Sequence, residues 1–302
     1  MKVYKFGGTS VGSPERMKEV SRLITEDGES KIVVLSAMSG TTNSLVEIAD
    51  YLRKGNPEGA SNMVNRLHNI YKQHLPLLYT NEETTNRVRE RLDNLFLQLH
   101  EFRTREFSES DEKAILAQGE IMSTNMVTEY LKECGVKAIL LPALDYMRLD
   151  PNGEPDLPYI RERLSYLLEK NPDYDIYITQ GFICRNAEGQ IDNLQRGGSD
   201  YTASLIGAAI RASEIQIWTD IDGMHNNDPR FVEDTTPVRQ LSFEEAAELA
   251  YFGAKILHPT CVQPARYAGV PVRLKNTLDP KAPGTLINND CEEGRIKAVA
   301  AK

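Results

Sequence analysis

Two glycine-rich turns in this sequence each follow one element and introduce a helix. The first is Lys5-Phe6-Gly7-Gly8-Thr9-Ser10, which follows an apolar run that begins at Val3. The second is Arg196-Gly197-Gly198-Ser199-Asp200, which precedes an apolar run that ends at Ile210. Glycines let backbone N–H groups approach a phosphate closely, and a helix N-terminus adds partial positive charge. One such turn is commonly structural, but the pair favours a phosphate-binding site.

The charged residues of these turns indicate what they could hold. Lys5 supplies a mobile ammonium, and Arg196 supplies a guanidinium that can bind a carboxylate or phosphate through two parallel hydrogen bonds. Asp200 would repel an anion, so it fits best as the partner of an ammonium such as Lys5 or a substrate amine, or as a help to Mg²⁺. An ordinary acid in the first turn of a helix is an equally good interpretation.

Other small and charged residues follow further predicted strands. The loop 36–43 is rich in small and hydroxyl residues, including Ser39 and Thr42, and comes directly after an apolar strand. Thr219 and Asp220 follow another strand and could meet an adenine or a ribose. Open α/β sheets bind ligands outside the carboxyl ends of their strands, so these loops could border one crevice. Arg230 and Lys255 could reach phosphates, although each alone is more typical of a solvated surface residue.

The order of the predicted elements indicates an α/β fold. Strand-like and helix-like segments alternate, which favours a mostly parallel sheet covered on both faces. A segment from about 45 to 107 has helical periodicity and interrupts this alternation as a helical insertion. Helices are predicted at 110–133 and 198–210, and strands at 3–6, 32–35, 138–141, 176–184, 215–218, 272–275 and 285–287. A soft boundary falls near Arg196.

Composition excludes several classes of function. The 302 residues carry a net charge of −9 and no basic stripe, so we expect no nucleic-acid partner. No apolar stretch approaches the roughly 20 residues that a membrane span needs. The four cysteines are far apart and the N-terminus lacks a signal-peptide pattern, which predicts a cytoplasmic protein without a zinc site. The P-loop and Rossmann glycine patterns are also absent from the sequence.

Six short motifs, taken in order, resemble the aspartokinases of the amino-acid kinase family. They are Lys5-Phe6-Gly7-Gly8-Thr9-Ser10-Val11, Gln118-Gly119-Glu120, Gln180-Gly181-Phe182, Arg196-Gly197-Gly198-Ser199-Asp200-Tyr201-Thr202, Trp218-Thr219-Asp220 and Phe252-Gly253-Ala254-Lys255. The resemblance implies an amino-acid-kinase fold, with an open, mainly parallel sheet between helical layers. It also implies an aspartate-binding lobe over 1–195 and an ATP-binding lobe over 196–302.

The same resemblance implies transfer of the γ-phosphate of Mg-ATP to the side-chain carboxylate of L-aspartate, the first step toward lysine, threonine and methionine. Lys5 would lie on the transferring phosphoryl group, and Asp200 would organise Lys5. Glu120 would face the ammonium of aspartate and Arg196 its α-carboxylate, with Ser39 and Thr42 beside them. ATP would contact Lys5, Gly7, Gly8, Gly197, Gly198, Ser199, Thr219, Asp220, His225, Arg230 and Lys255. A resident metal site is not expected beyond the Mg²⁺ that accompanies ATP.

The sequence departs from the family pattern in two respects. His225 stands where many members carry tyrosine, and the chain stops at Lys302 without the usual paired regulatory domains. The resemblance therefore implies the catalytic part of a longer, homo-oligomeric enzyme, and Lys275-Asn276-Thr277 is similar to the versions fused to homoserine dehydrogenase. Three alternatives stay open: a related kinase with another acceptor such as glutamate, carbamate or a nucleotide, a non-catalytic nucleotide sensor, and an inactive fragment.

Overall fold

A computed structural model of the chain describes residues 1–194, 197–227, 232, 234–251, 258–290 and 297–299. Within these residues the backbone forms one large sheet, a small hairpin and nine α-helices. None of these helices combines the length and apolarity that crossing a bilayer requires.

The large sheet has the strand order β3-β4-β2-β1-β7-β9-β10-β8. Every neighbouring pair is parallel except β9 with β10, so the prediction of a mainly parallel sheet is confirmed. The strands are β1 (Lys2–Phe6), β2 (Lys31–Leu35), β3 (Ala138–Leu140), β4 (Ile176–Gln180), β7 (Ile215–Thr219), β8 (Gln240–Ser242), β9 (Val272–Asn276) and β10 (Thr285–Asn288). The separate hairpin joins β5 (Ile183–Arg185) to β6 (Ile191–Asn193).

Helices cover both faces of this sheet, as expected for an α/β fold. The helices are α1 (Pro14–Thr25), α2 (Thr41–Arg53), α3 (Pro57–Leu78), α4 (Glu82–Glu101), α5 (Glu109–Glu133), α6 (Leu157–Lys170), α7 (Gly198–Ile210), α8 (Phe243–Tyr251) and α9 (Gln263–Ala268). Helices α1 to α5 pack in one hydrophobic core, and α6 to α9 pack in the other. The predicted helical insertion is confirmed as α2, α3 and α4, which lie between β2 and α5.

The alternation of side chains along β1 explains how one strand serves both cores. Val3 is buried in the core that contains α7, whereas Tyr4 and Phe6 are buried in the core that contains α1 to α5. Successive side chains of a strand point to opposite faces, so Lys5 points to the same face as Val3. The side chain of Lys5 is thereby directed toward α7.

Local sequence signals set several element boundaries correctly. The Ser13 hydroxyl accepts a hydrogen bond from the Arg16 N–H at 3.3 Å, and Pro14 opens α1. At the start of α8 the capping box is present, because the Ser242 N–H donates to the Glu245 carboxylate and the Glu245 N–H donates to the Ser242 hydroxyl.

The predicted strand 176–184 is instead two strands. β4 ends at Gln180, and the chain turns at Gly181 and Phe182 before β5 begins at Ile183. Phe182 has a φ of 68°, a left-handed conformation that is uncommon outside glycine. This turn brings residues 181 and 182 to the carboxyl edge of the sheet, beside α7.

Candidate active site

The strand order creates a switch point at β1. From β1 the chain proceeds outward through β2 on one side, and β7 pairs with β1 on the other. In open α/β sheets the loops diverge at such a point and leave a crevice outside the carboxyl ends of the strands. Lys5 lies near the carboxyl end of the central strand β1, so it stands at this crevice.

Backbone hydrogen bonds tie the loops around the crevice together. The Ser36 N–H donates to the Phe6 carbonyl at 3.2 Å, which joins the ends of β1 and β2. The Gly181 N–H donates to the Leu35 carbonyl at 2.9 Å, which joins β4 to them. On the other side the Thr277 N–H donates to the Thr219 carbonyl at 2.7 Å. The predicted convergence of several strand ends on one edge is therefore present.

Lys5 and Asp200 form an ion pair at the centre of this edge. The Lys5 Nζ lies 2.8 Å from the Asp200 Oδ1, and the two side chains are only 11% and 18% exposed. The pair forms because β1 directs Lys5 toward α7 and Asp200 lies in the first turn of α7. Of the two interpretations of Asp200 that the sequence left open, the structure shows the ammonium partner. Asp200 can hold the ammonium in place before a ligand arrives.

The N-terminus of α7 has the form of an anion-binding turn. Gly197 and Gly198 have φ values of 68° and 39°, a region that other residues rarely adopt. Among the described residues no side chain caps this helix, so its first N–H groups can face a ligand. The Ser199 hydroxyl accepts a hydrogen bond from the Ser36 hydroxyl at 2.9 Å, which links this turn to the end of β2.

Glycines allow the neighbouring loops to approach this turn. A Cβ on Gly181 would lie 2.2 Å from the Ser199 Oγ and 2.8 Å from its Cα. A Cβ on Gly8 would lie 2.9 Å from the Ala37 carbonyl oxygen. Side chains at these two positions would separate the loops, so glycine is required there by close packing. Gly7 lies close to Lys5, because its Cβ would stand 3.5 Å from the Lys5 Nζ.

Glu120 presents a buried carboxylate on the other side of the loop 36–43. It lies on α5 with a relative exposure of 5%, and the backbone N–H of Ala37 offers it a hydrogen bond. Burial raises the pKa of Glu120 to about 7, against its ordinary value of 4.5. Within the described ranges, neither lysine nor arginine forms an ion pair with this carboxylate. A cationic group of a ligand could complete it.

Ser39 and Thr42 lie in the loop between Glu120 and the first glycine turn. Both are exposed, and the Ser39 N–H donates to the Gly8 carbonyl at 3.2 Å. Gly40 between them has a φ of 83°, and α2 begins at the next residue. The loop thus presents two hydroxyl groups near the glycine turn of β1.

The residues predicted to contact a nucleotide are only partly gathered. Thr219 ends β7 and Asp220 is exposed directly after it. His225 is held within its own loop, since its Nδ1 lies 2.9 Å from the Thr235 hydroxyl. Arg196, Arg230 and Lys255 lie outside the described residues, as does most of the motif at 252–255. Their predicted roles stay predictions.

Two residues at this edge were not singled out from the sequence. Ser36 bonds Ser199 and also receives, at its carbonyl, a hydrogen bond of 2.8 Å from the Ser123 hydroxyl. Thr277 meets the Ser10 hydroxyl at 3.0 Å. Each directly or closely follows a strand of the parallel part of the sheet, which is the signal that could have identified them.

Within the described residues, no group of three or more His, Cys, Asp or Glu side chains could hold a metal ion. The phosphate turn does contain one carboxylate, that of Asp200. Mg²⁺ commonly binds through substrate phosphates and one or two carboxylates while keeping several waters. This donor set suits a magnesium ion that arrives with a nucleotide.

The fold and these phosphate turns define a class of protein. Residues 1–276 match the model of the Amino acid kinase family, so the chain belongs to that family.

Within the family, the chain is similar to aspartokinases. It is 35% identical over 293 residues to the lysine-sensitive aspartokinase 3 of Escherichia coli (strain K12), covering 96% of this chain and 64% of that protein. It is 38% identical over 302 residues to the chloroplastic aspartokinase 1 of Arabidopsis thaliana, covering 94% of this chain and 51% of that protein. The crystal structure of E. coli aspartokinase III in complex with aspartate and ADP superposes with a TM-score of 0.86 at 34% identity, covering 97% of this chain and 65% of that one. The chain therefore spans less than two thirds of the length of each.

Proposed function

We propose that this chain carries the catalytic region of an aspartate kinase, which transfers the γ-phosphate of ATP to the side-chain carboxylate of L-aspartate. The observation that carries the proposal is the Lys5–Asp200 pair, held between two glycine turns at the switch point of the sheet. The similar E. coli structure contains aspartate and ADP, which supports both substrates.

Acceptor recognition rests on the two charges that every α-amino acid carries. The buried Glu120 carboxylate suits the ammonium, because it has no cationic partner among the described residues. From the sequence, Arg196 suits the α-carboxylate, since a guanidinium can bind it through two hydrogen bonds. Ser39 and Thr42 offer hydroxyl groups to the remaining oxygens.

The chemical step needs no general base. An aspartate carboxylate has a pKa of about 3.9, so it is already the nucleophile near pH 7. One of its oxygens forms a bond to the γ-phosphorus while the bond from that phosphorus to the β,γ-bridging oxygen breaks, and ADP leaves with that electron pair. The product is 4-phospho-L-aspartate.

Two anions must approach each other in this step, so catalysis depends on alignment and charge neutralisation. Lys5 supplies positive charge beside the transferring group, and Asp200 keeps that ammonium in place. The N–H groups of the turns around Gly7, Gly8, Gly197 and Gly198 supply further positive ends of dipoles. Mg²⁺ bound to the phosphates neutralises negative charge there when ATP is present.

The two halves of the sheet suggest how the lobes divide this work. Strands β1 to β4 carry the acceptor residues and come from 1–195, whereas β7 to β10 come from 196–302 and adjoin the proposed nucleotide residues. We assign aspartate to the first lobe and ATP to the second, in an enzyme that acts as a homo-oligomer.

Trapping the acyl phosphate tests the proposed function. The protein is mixed with Mg-ATP, hydroxylamine and either L-aspartate, L-glutamate or no acceptor. We expect a coloured hydroxamate with aspartate only. A signal with glutamate alone would establish the related kinase with another acceptor, and ATP binding without any hydroxamate would establish the sensor or the inactive fragment.

A further inference from the structure

The helical insertion reaches the acceptor loop through one buried hydroxyl group. Tyr71 lies on α3 and is fully buried, and its hydroxyl is 3.0 Å from the Thr41 Oγ1. Thr41 is itself 1% exposed and is the first residue of α2. It belongs to the acceptor turn, which we define as residues 38–42 and which contains Ser39 and Thr42.

Two sides of the acceptor turn are supported by close packing or backbone bonds. On the β1 side, the Ser39 N–H donates to the Gly8 carbonyl at 3.2 Å. On the α5 side, a Cβ on Gly119 would lie 3.3 Å from the Thr41 Cγ2, so the helix backbone touches the turn.

The third side, toward α3, is loosely packed. A cavity of about 290 Å³ lies there, lined in part by Met38, Thr41, Met63 and Leu67. No described side chain caps the N-terminus of α2, so the helix start is not anchored in that way. Where apolar packing is incomplete, a directional hydrogen bond is the remaining restraint on position. The Tyr71–Thr41 bond supplies it.

The other end of Tyr71 is rigid. Its ring contacts the Phe96 ring edge-on at a centroid distance of 5.7 Å, which fixes α3 against α4. Burial raises the pKa of Tyr71 well above its usual value, the bond to Thr41 opposes this, and the charge of Glu120 adds to it. The phenol therefore stays protonated at neutral pH and lies within electrostatic reach of Glu120.

We propose that Tyr71 is a positioning residue for the acceptor: through Thr41 it fixes the turn that presents Ser39 and Thr42 beside Glu120. The bond to Thr41 gives the helical insertion a role at the acceptor site beyond its role in the core. This inference rests on the proposed function for its kinetic effect, but its structural effect can be measured independently.

Tyr79 provides a matched control. It is also a buried tyrosine of the same hydrophobic core, and its hydroxyl donates to the Met126 carbonyl at 2.7 Å. Tyr79→Phe therefore removes one buried hydrogen bond, as Tyr71→Phe does, but away from the acceptor turn. A purely structural role would make the two variants alike.

The kinetic experiment compares these variants with wild type in the hydroxamate assay. A lost hydrogen bond corresponds to a change of about fivefold to tenfold, so we expect Tyr71→Phe to raise the KM for aspartate by about that factor. Its KM for ATP should change less than about twofold on the same reasoning, because the nucleotide turns are untouched. Tyr79→Phe should leave both KM values unchanged. Equal KM values for aspartate in the two variants would overturn the positioning role.

Thr41→Val breaks the same bond from its other end. If the bond is the cause, the double variant Tyr71→Phe/Thr41→Val should have the KM for aspartate of a single variant, whereas independent effects would multiply. Multiplying effects would contradict the proposal.

Hydrogen–deuterium exchange separates this inference from the proposed function. The amide of Thr41 is bonded to the Met38 carbonyl at 3.0 Å and that of Ser44 to the Gly40 carbonyl at 3.1 Å, so both report the order of the turn. We expect these amides to exchange faster in Tyr71→Phe and at the wild-type rate in Tyr79→Phe. Unchanged exchange in Tyr71→Phe would refute the restraint whatever the acceptor is. Faster exchange in a protein whose wild type makes no aspartyl hydroxamate would support the restraint and refute the proposed function alone.

Discussion

Acceptor binding should weaken as the pH falls, because of Glu120. Burial raises the pKa of this carboxyl to about 7 in the ligand-free protein. An ammonium ligand needs the ionised form, and pairing with it favours that form. With a pKa of about 7, roughly one molecule in ten is ionised at pH 6 and roughly nine in ten at pH 8. The dissociation constant for aspartate should therefore rise about tenfold from pH 8 to pH 6.

The same carboxyl group should affect stability in a definite direction. Its folded pKa, about 7, exceeds its ordinary value of 4.5, so the folded protein binds more protons than the unfolded chain between these values. The stability of the ligand-free protein that depends on this group is fully present below pH 4.5 and is lost as the pH rises through about 7. The shift corresponds to a loss of roughly 3 kcal/mol at most.

Glu120→Gln isolates these effects. The variant should bind aspartate weakly and without pH dependence, and it should be more stable than wild type at pH 8 but not at pH 5. Glu129 provides a control on the same helix, because hydrogen bonds and charge from Arg87 and Lys132 hold its pKa below its ordinary value despite its burial. Glu129→Gln should instead lose stability at pH 8.

Titration calorimetry at pH 6, 7 and 8, in two buffers that differ in ionisation enthalpy, measures both the affinity and the protons released. We expect nearly one proton released per aspartate bound at pH 6 and few at pH 8. Urea unfolding at pH 5 and pH 8 gives the stability differences. An aspartate affinity that is constant over this range, or that survives in Glu120→Gln, would refute the assignment of Glu120 to the ammonium.

Three further predictions concern the reaction and the packing of the site. Lys5→Ala should lower kcat by about 10²–10³ with little change in the KM for aspartate, by analogy with the loss of one preorganised donor; steady-state kinetics showing near-normal turnover would remove Lys5 from the mechanism. Succinate, which lacks the ammonium, should be a worse acceptor than aspartate by about 10⁴ or more in kcat/KM, and efficient hydroxamate formation from succinate would contradict the role of Glu120. Gly181→Ala should destabilise the protein by about 1–3 kcal/mol in urea unfolding and raise the KM for ATP, because its Cβ would collide with Ser199. Gly135→Ala is its control, since that position has open space around it and a φ of 78°, and only stability should change there.

Much of the fold could be predicted because its signals are local. The cap at Ser13 and Pro14, the capping box at Ser242 and the apolar strands β1 and β2 each depend on neighbouring residues in the chain. The sequence analysis did not predict α6, although the Asp156 side chain accepts from the Tyr159 N–H and Pro158 lies in the first turn. β8 has only three residues, too few for a periodic pattern.

The prediction of the strand 176–184 was wrong for a tertiary reason. The residues on both sides of Gly181 are apolar enough for one strand, and nothing local marks the turn except the glycine itself. The turn forms because α7 packs against Gly181, and because the Phe182 N–H donates to the Thr202 hydroxyl at 2.9 Å.

The sequence by itself determined which chemical groups are available and that they follow strands or begin helices: an ammonium after three strand residues, two glycine turns, and a glutamate on a long helix. These properties depend on periodicity and capping, which act over a few residues. Only the tertiary structure decided that Lys5 meets Asp200, that Ser36 meets Ser199, and that Glu120 is buried without a cation among the described residues. Those contacts depend on β7 pairing beside β1 and on α5 packing over the loop after β2, and local propensity does not encode the order in which distant strands and helices assemble.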